Sequence, residues 1–200
     1  MRKSLANCKF IFLDTGVIIE VLKTDYANSS EEVVKRGQWV KRFFDCLLEK
    51  ELFGTNKILQ ISALNISEIF HVDNYQEKTM EAITTFTNTT QLEVFAFDEH
   101  IALYHNKEFH NVLSKSEIEK IKNQVNYPAS SYANIEDRIR KDMLIVATAK
   151  MYNADVVLTT DSGFKVLCDL HGVFCHCFTD DDNQFLTAEG NLELIYDFKS

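Results

Sequence analysis

Proline is nearly absent from this chain, occurring once at Pro128, and glycine occurs only six times. Such a sequence contains no low-complexity linker, so its 200 residues read as a single domain. It also lacks an internal repeat. Long apolar runs are missing. The run Phe10 to Leu13 is too short for the core of a signal peptide and ends in Asp14. No stretch approaches the roughly 18 apolar residues of a membrane-spanning helix, which predicts a cytoplasmic protein without membrane contact. Positive charge is scarce: 21 Lys and Arg face 30 Asp and Glu, for a net charge of −9. That balance excludes a surface that coats nucleic acid generally, because phosphate contacts reward Lys and Arg. It leaves room for an acidic site compensated by metal, with a local basic rim. Cysteine is odd in number, five in all, which does not suggest a disulfide framework.

What the chain does contain is enough apolar material for a sizeable core, 46% hydrophobic and 12% aromatic. Its periodicity predicts strands over Lys9–Leu13, Lys57–Ser62, Leu92–Phe97, Asp155–Thr159 and Val173–Phe178. Helices are predicted over Thr15–Lys23, Glu31–Lys50, Gln76–Thr87, Asp98–Phe109, Ser116–Val125, Ile135–Tyr152 and Gly163–Leu170. A further helix runs through Phe70, with Asn65 or Ser67 as its cap. Thr24 to Ser30 reads as a turn and Asn126 to Asn134 as a loop; the tail after Asp180 has no clear period. Strands alternating with helices imply βαβ units. The expected fold class is therefore α/β, with a central, mostly parallel sheet flanked by helices.

Four acids stand at separated places in this pattern. Asp14 ends the first strand, and Asp161 follows the run Val156-Val157-Leu158. In parallel sheets, sites form beyond the carboxyl ends of strands. Asp142 opens an amphipathic helix and shares a stripe with Ile145, Val146 and Ala149. An inward carboxylate is costly unless paired or ligated. Glu68 has apolar neighbours in Ile66, Ile69 and Phe70. Each acid alone has a plain structural role open to it. Asp14 and Asp161 are in position to cap helices, Asp142 to pair with Arg138, and Glu68 to face solvent. Together they suggest a carboxylate cluster, and such clusters bind Mg²⁺ or Mn²⁺.

Four segments carry a family resemblance: Phe12-Leu13-Asp14-Thr15, Ile66-Ser67-Glu68-Ile69, Lys141 to Ala149, and Leu158-Thr159-Thr160-Asp161-Ser162-Gly163-Phe164. In that order, over roughly residues 9 to 178, they resemble the motifs of PIN-domain ribonucleases, including those of toxin–antitoxin pairs. The resemblance implies a three-layer α/β fold and one or two divalent metals held by Asp14, Glu68, Asp142 and Asp161. It gives Thr159 the part of a hydroxyl residue supporting the site. It implies RNA as substrate, attack by a metal-activated water, and 5′-phosphate and 3′-hydroxyl products. An antitoxin protein and a homodimer are the further partners it allows. The alternative is a PIN fold that binds nucleic acid or scaffolds, with weak or no catalysis. Gly16 departs from the pattern, standing where the family often has Asn or Ser. The chain is also longer than small PIN toxins, with extra sequence near residues 24–36 and 106–134. The second insertion is polar around Ser114-Lys115-Ser116 and Pro128. It is expected to border the substrate groove or bind a partner, outside the core.

Two basic groups are candidates for phosphate contact. Arg138, Arg140 and Lys141 flank Asp142; Lys35, Arg36, Lys41 and Arg42 form the second group. Either also reads as an ordinary solvated helix face. Other chemistry is poorly supported. Cys168, His171, Cys175 and Cys177 lie close together but match no compact zinc spacing. His71, His105 and His110 have no paired spacing with a nucleophile. There is no Gly-x-Ser-x-Gly elbow and no phosphate loop. A phosphatase of the haloacid-dehalogenase type would need an acid two residues after Asp14, where Gly16 stands.

Overall fold

Strands without polar alternation must be covered on both faces. The computed structural model shows that cover; it describes residues 8–48, 57–70, 77, 80–81, 83–84, 91–109, 118–119, 121–123 and 132–178. Along the chain come β1 (Phe10–Leu13), α1 (Thr15–Leu22), α2 (Glu31–Leu48), β2 (Ile58–Ser62), α3 (Ala63–Phe70), β3 (Gln91–Phe95), α4 (Glu99–Phe109), α5 (Tyr132–Met151), β4 (Val156–Thr159), α6 (Ser162–Leu170) and β5 (Cys175–Cys177). The five strands form one parallel sheet in the order β3-β2-β1-β4-β5.

Alternate residues of each strand serve opposite faces. Ile11, Leu13, Val156 and Leu158 join Val17, Ile18, Val40 and Phe43 of α1 and α2 in one apolar cluster. Phe12 and Val157 belong to a second cluster, with Ile139, Met143 and Val146 of α5 and Phe164 and Leu167 of α6. The result is the expected three layers: α1 and α2, the sheet, then α5 and α6. Among the described residues, no helix is long and apolar enough to cross a membrane.

Several expectations are corrected. Helix α3 begins at Ala63, ahead of the caps expected at Asn65 or Ser67. Ser62 is the capping residue. Its Oγ accepts from the Leu64 amide at 3.2 Å, while Asn65 Oδ1 accepts from the Ser62 amide at 2.9 Å. That reciprocal pair is a capping box with Asn in the third helical position. Helix α5 starts at Tyr132, inside the segment read as loop, so Asp142 lies in mid-helix and does not open it. The 106–134 segment is not wholly outside the core. Ile118 and Ile121 are helical, 2% and 1% exposed, and packed in the second cluster. Their i, i+3 spacing turns both toward one face, which the polar residues around them concealed. The Gln76–Thr87 helix falls mostly outside the described residues, as does the tail after Asp180.

Two residues of the second basic group have structural partners. Glu20 is buried, and Arg36 donates to its Oε1 through Nε at 3.2 Å and Nη2 at 2.7 Å. Tyr26 donates its hydroxyl to Glu20 Oε2 at 3.1 Å. A Cβ at Gly37 would collide with the Tyr26 ring, so only glycine lets the ring lie against α2. Lys23 and Lys41 sit over that ring at 4.7 and 4.9 Å from its centroid. Arg36 and Lys41 thus serve to join α1 to α2; Lys35 and Arg42 are exposed.

Candidate active site

The strand order changes direction between β1 and β4. From these neighbouring strands the chain leaves to opposite faces, into α1 and into α6. A crevice opens beyond the carboxyl ends at such a point. Asp14 lies immediately after β1, its amide donating to Leu158 O at 2.9 Å across to β4. Asp161 lies two residues after β4. Asp142 comes from α5 and Glu68 from α3. All four acids line one cavity of about 1080 Å³, together with Thr15, Gly16, Arg138, Lys141 and Thr160.

Two acids do act as caps, each through one oxygen. Asp14 Oδ1 accepts from the Thr15 amide at 2.7 Å, and Asp161 Oδ1 accepts from the Gly163 and Phe164 amides at 2.7 and 3.3 Å. The remaining oxygens have different partners. Asp14 Oδ2 accepts from the Thr159 hydroxyl at 2.7 Å. The same hydroxyl oxygen accepts from the Asp161 amide at 3.0 Å. Thr159 is fully buried and ties the two acid-bearing loops together. Asp161 Oδ2 is paired with Arg138.

Burial is the main force on Asp14, pushing its carboxyl up to about 6. The Thr159 and Thr15 hydrogen bonds oppose the rise; the Asp161 and Glu68 charges add to it. Asp142 is held well above the usual carboxylate range, chiefly by burial and then by Asp14 and Asp161, with Arg138 opposing. Its Oδ2 is buried and accepts no hydrogen bond. Its charge partner Arg138 has Nε 4.0 Å away, too far for a hydrogen bond.

Two residues at the site are not evident from sequence. The Thr15 hydroxyl donates to Glu68 Oε2, and Asn65 Nδ2 donates to Thr15 Oγ1 at 2.9 Å. Asn65 is fully buried. It both caps α3 and aims Thr15 at Glu68. The sequence marked Asn65 as a candidate cap, and its position about one helical turn before Glu68 is the signal for a place at the site. Asn65→Ala removes partners from the Ser62 amide and the Thr15 hydroxyl. It is expected to cost about 2 kcal/mol, read as a lower urea midpoint with an unchanged slope. An unaltered midpoint would show these bonds to be dispensable. Gly16 is explained as well: a Cβ there would strike Thr160 Oγ1. Thr160 fills the space that a side chain at position 16 would need.

The three residues expected to contact substrate separate. Arg138 and Lys141 line the cavity, as does Arg36 of the second basic group. Arg140 is not among its lining residues; it pairs with Glu136 at 2.7 Å on the exposed face, and its charge acts on His105 of α4. Two residues from Arg138, it points to nearly the opposite side of the helix. Cys168, Cys175 and Cys177 are buried thiols outside any disulfide, the first two packed in the second apolar cluster. They behave as small hydrophobes.

The cavity's oxygen-only acids suit a hard dication. Among the described residues, no three acidic, His or Cys side chains converge on a common ion position as they stand. The acids' oxygens are instead held by Thr15, Thr159, the α6 amides and Arg138. The buried, donorless Oδ2 of Asp142 is the observation that fits a cation.

No family model matches the sequence, and no curated protein matches it. Solved structures similar to this chain include VapBC2 from Rickettsia felis bound to a DNA fragment from their promoter, at 14% identity. That match covers 84% of this chain and 98% of the other, with a TM-score of 0.48. DNA-bound VapBC from Salmonella typhimurium is similar at 18% identity over 86% of this chain and 98% of that one, with a TM-score of 0.45. On its own topology, a parallel sheet ordered β3-β2-β1-β4-β5 between helical layers, the chain has the expected three-layer α/β fold.

Proposed function

We propose that this chain is a metal-dependent ribonuclease hydrolysing RNA phosphodiester bonds, and the toxin of a toxin–antitoxin pair. The observation that carries the nuclease reading is Asp142. A mid-helix carboxylate is buried without a donor, facing a cavity shared with Asp14, Glu68 and Asp161. Such a charge is costly unless something cationic offsets it. The toxin reading follows from the motif resemblance, which also brings an antitoxin and a second copy of the chain as partners.

Asp14, Glu68, Asp142 and Asp161 would hold Mg²⁺ or Mn²⁺. A divalent ion there would neutralise charge on the scissile phosphate and lower the pKa of the attacking water. The chain's own residues do the positioning. Thr159 fixes Asp14 against Asp161, and Asn65 through Thr15 fixes Glu68. Exposed Lys141 at the cavity wall offers a donor to the RNA backbone. The protein is otherwise acidic, so this local charge has to guide the substrate.

The second reading, a PIN-like binding or scaffolding protein without catalysis, is favoured by one contact. Arg138 already neutralises Asp161, as a cation would. End-labelled single-stranded RNA, incubated with the purified chain and Mn²⁺ or Mg²⁺, distinguishes the two. Cleavage that stops with EDTA, resumes with Mn²⁺ and leaves 5′-phosphates is the expected result. Cleavage persisting in EDTA would refute the metal mechanism. RNA retained but uncut would favour the second reading.

A further inference from the structure

We propose that Arg138 is a tethered counter-ion of the acid cluster which a divalent cation must displace, so that this residue opposes metal binding. The inference rests on the metal-site reading above. It runs against the simpler expectation that Arg138 serves only the substrate.

The acid oxygens are unequally occupied. Asp161 Oδ1 is taken up by two backbone amides at the start of α6. Its Oδ2 is the oxygen left for a cation, and Arg138 Nη2 donates to it. The same guanidinium places Nε 4.0 Å from Asp142 Oδ2, the buried oxygen that accepts no hydrogen bond. One side chain therefore stands between two acids delivered by different elements. A dication drawing on those two oxygens would share their space with a like charge, and the Coulomb repulsion is large at such distances.

Release is mechanically simple. Arg138 lies one helical turn before Asp142 on α5, and its side chain is 56% exposed. A long, half-exposed side chain turns out into water without disturbing the core. Its head then comes to the cavity wall that Lys141 also lines, within reach of a phosphate. Metal entry would in this way exchange an internal cation for an external one and deliver a positive group to the substrate side.

Calorimetric titration with MnCl₂ tests this on wild type, Arg138→Gln and Arg140→Gln. Arg140 is the control, lying on the same helix but paired with Glu136. Arg138→Gln is expected to bind Mn²⁺ about tenfold more tightly, a modest result for removing one nearby positive charge. Arg140→Gln should match wild type. Arg138→Lys, which keeps the charge but not the forked geometry, should fall between wild type and Arg138→Gln. It keeps the test alive if the glutamine variant folds poorly. Equal or weaker Mn²⁺ binding by Arg138→Gln, with wild type binding normally, overturns the counter-ion proposal and leaves the metal site standing. Absence of Mn²⁺ binding in wild type and variants alike overturns both.

Discussion

Asp142→Asn is expected to raise the protein's stability at neutral pH, measured in EDTA, while removing its RNA cleavage. The substitution keeps the shape of the side chain and deletes a buried charge whose Oδ2 has no donor. Relief of that unmet demand is worth about 1–3 kcal/mol. In a domain of this size each kcal/mol shifts the thermal midpoint by roughly 2–4 °C. Cleavage should fall by at least about 100-fold, the scale of losing one preorganised electrostatic contact. Calorimetric melting and a cleavage assay on the same preparation measure both. A lower midpoint would mean that Asp142 is held by favourable contacts and not at a cost. Undiminished cleavage would remove Asp142 from the site. Opposite signs for stability and activity are characteristic of a functional carboxylate.

The second large effect is a pH dependence of the metal-free protein, read as the difference between wild type and Asp14→Asn. Burial raises the Asp14 carboxyl from 3.8 to about 6 in the folded state. Between those values the folded protein binds more protons than the unfolded chain, so stability contributed by this group falls as pH rises. The asparagine variant resembles the neutral acid throughout. The two proteins should therefore be closely matched below about pH 4 and diverge upward, with wild type less stable near neutrality by on the order of 3 kcal/mol. Asp142 is raised in the same direction, in part by the Asp14 charge, so the asparagine variant also relaxes Asp142 and the two effects on stability add. Urea midpoints across this range in EDTA give the curve. Wild type gaining on the variant as pH rises would reverse the sign and discard the buried-carboxylate account. Mn²⁺ at about 100 times its dissociation constant should return roughly 2.7 kcal/mol to wild type, and much less to the variant.

What the sequence determined by itself is the set of local facts. The unbroken apolar run ending in Asp14 required a strand covered on both faces, and the turn into α1 put that acid at a carboxyl edge. The same reasoning located Asp161 after β4 and placed Asp142 on the inner stripe of its helix. Strand period, helix period and cap chemistry act over a few residues, so they are legible in a line of text. Other decisions depend on what packs opposite. Thr15 meets Asn65 and Glu68, 50 and 53 residues away, only because β2 pairs beside β1. Arg36 faces buried Glu20, 16 residues away on another helix, so its charge could not be assigned a role from its neighbours in sequence. Ile118 and Ile121 looked like part of a polar insertion until α5 and the sheet supplied their apolar surroundings. Arg138 read as a substrate contact or a partner of Asp142 one turn along its helix, and only the fold brought it onto Asp161. The energy of a charge is set by the dielectric and the counter-charges around it. Those arise only once strand order has brought distant segments to one edge of the sheet.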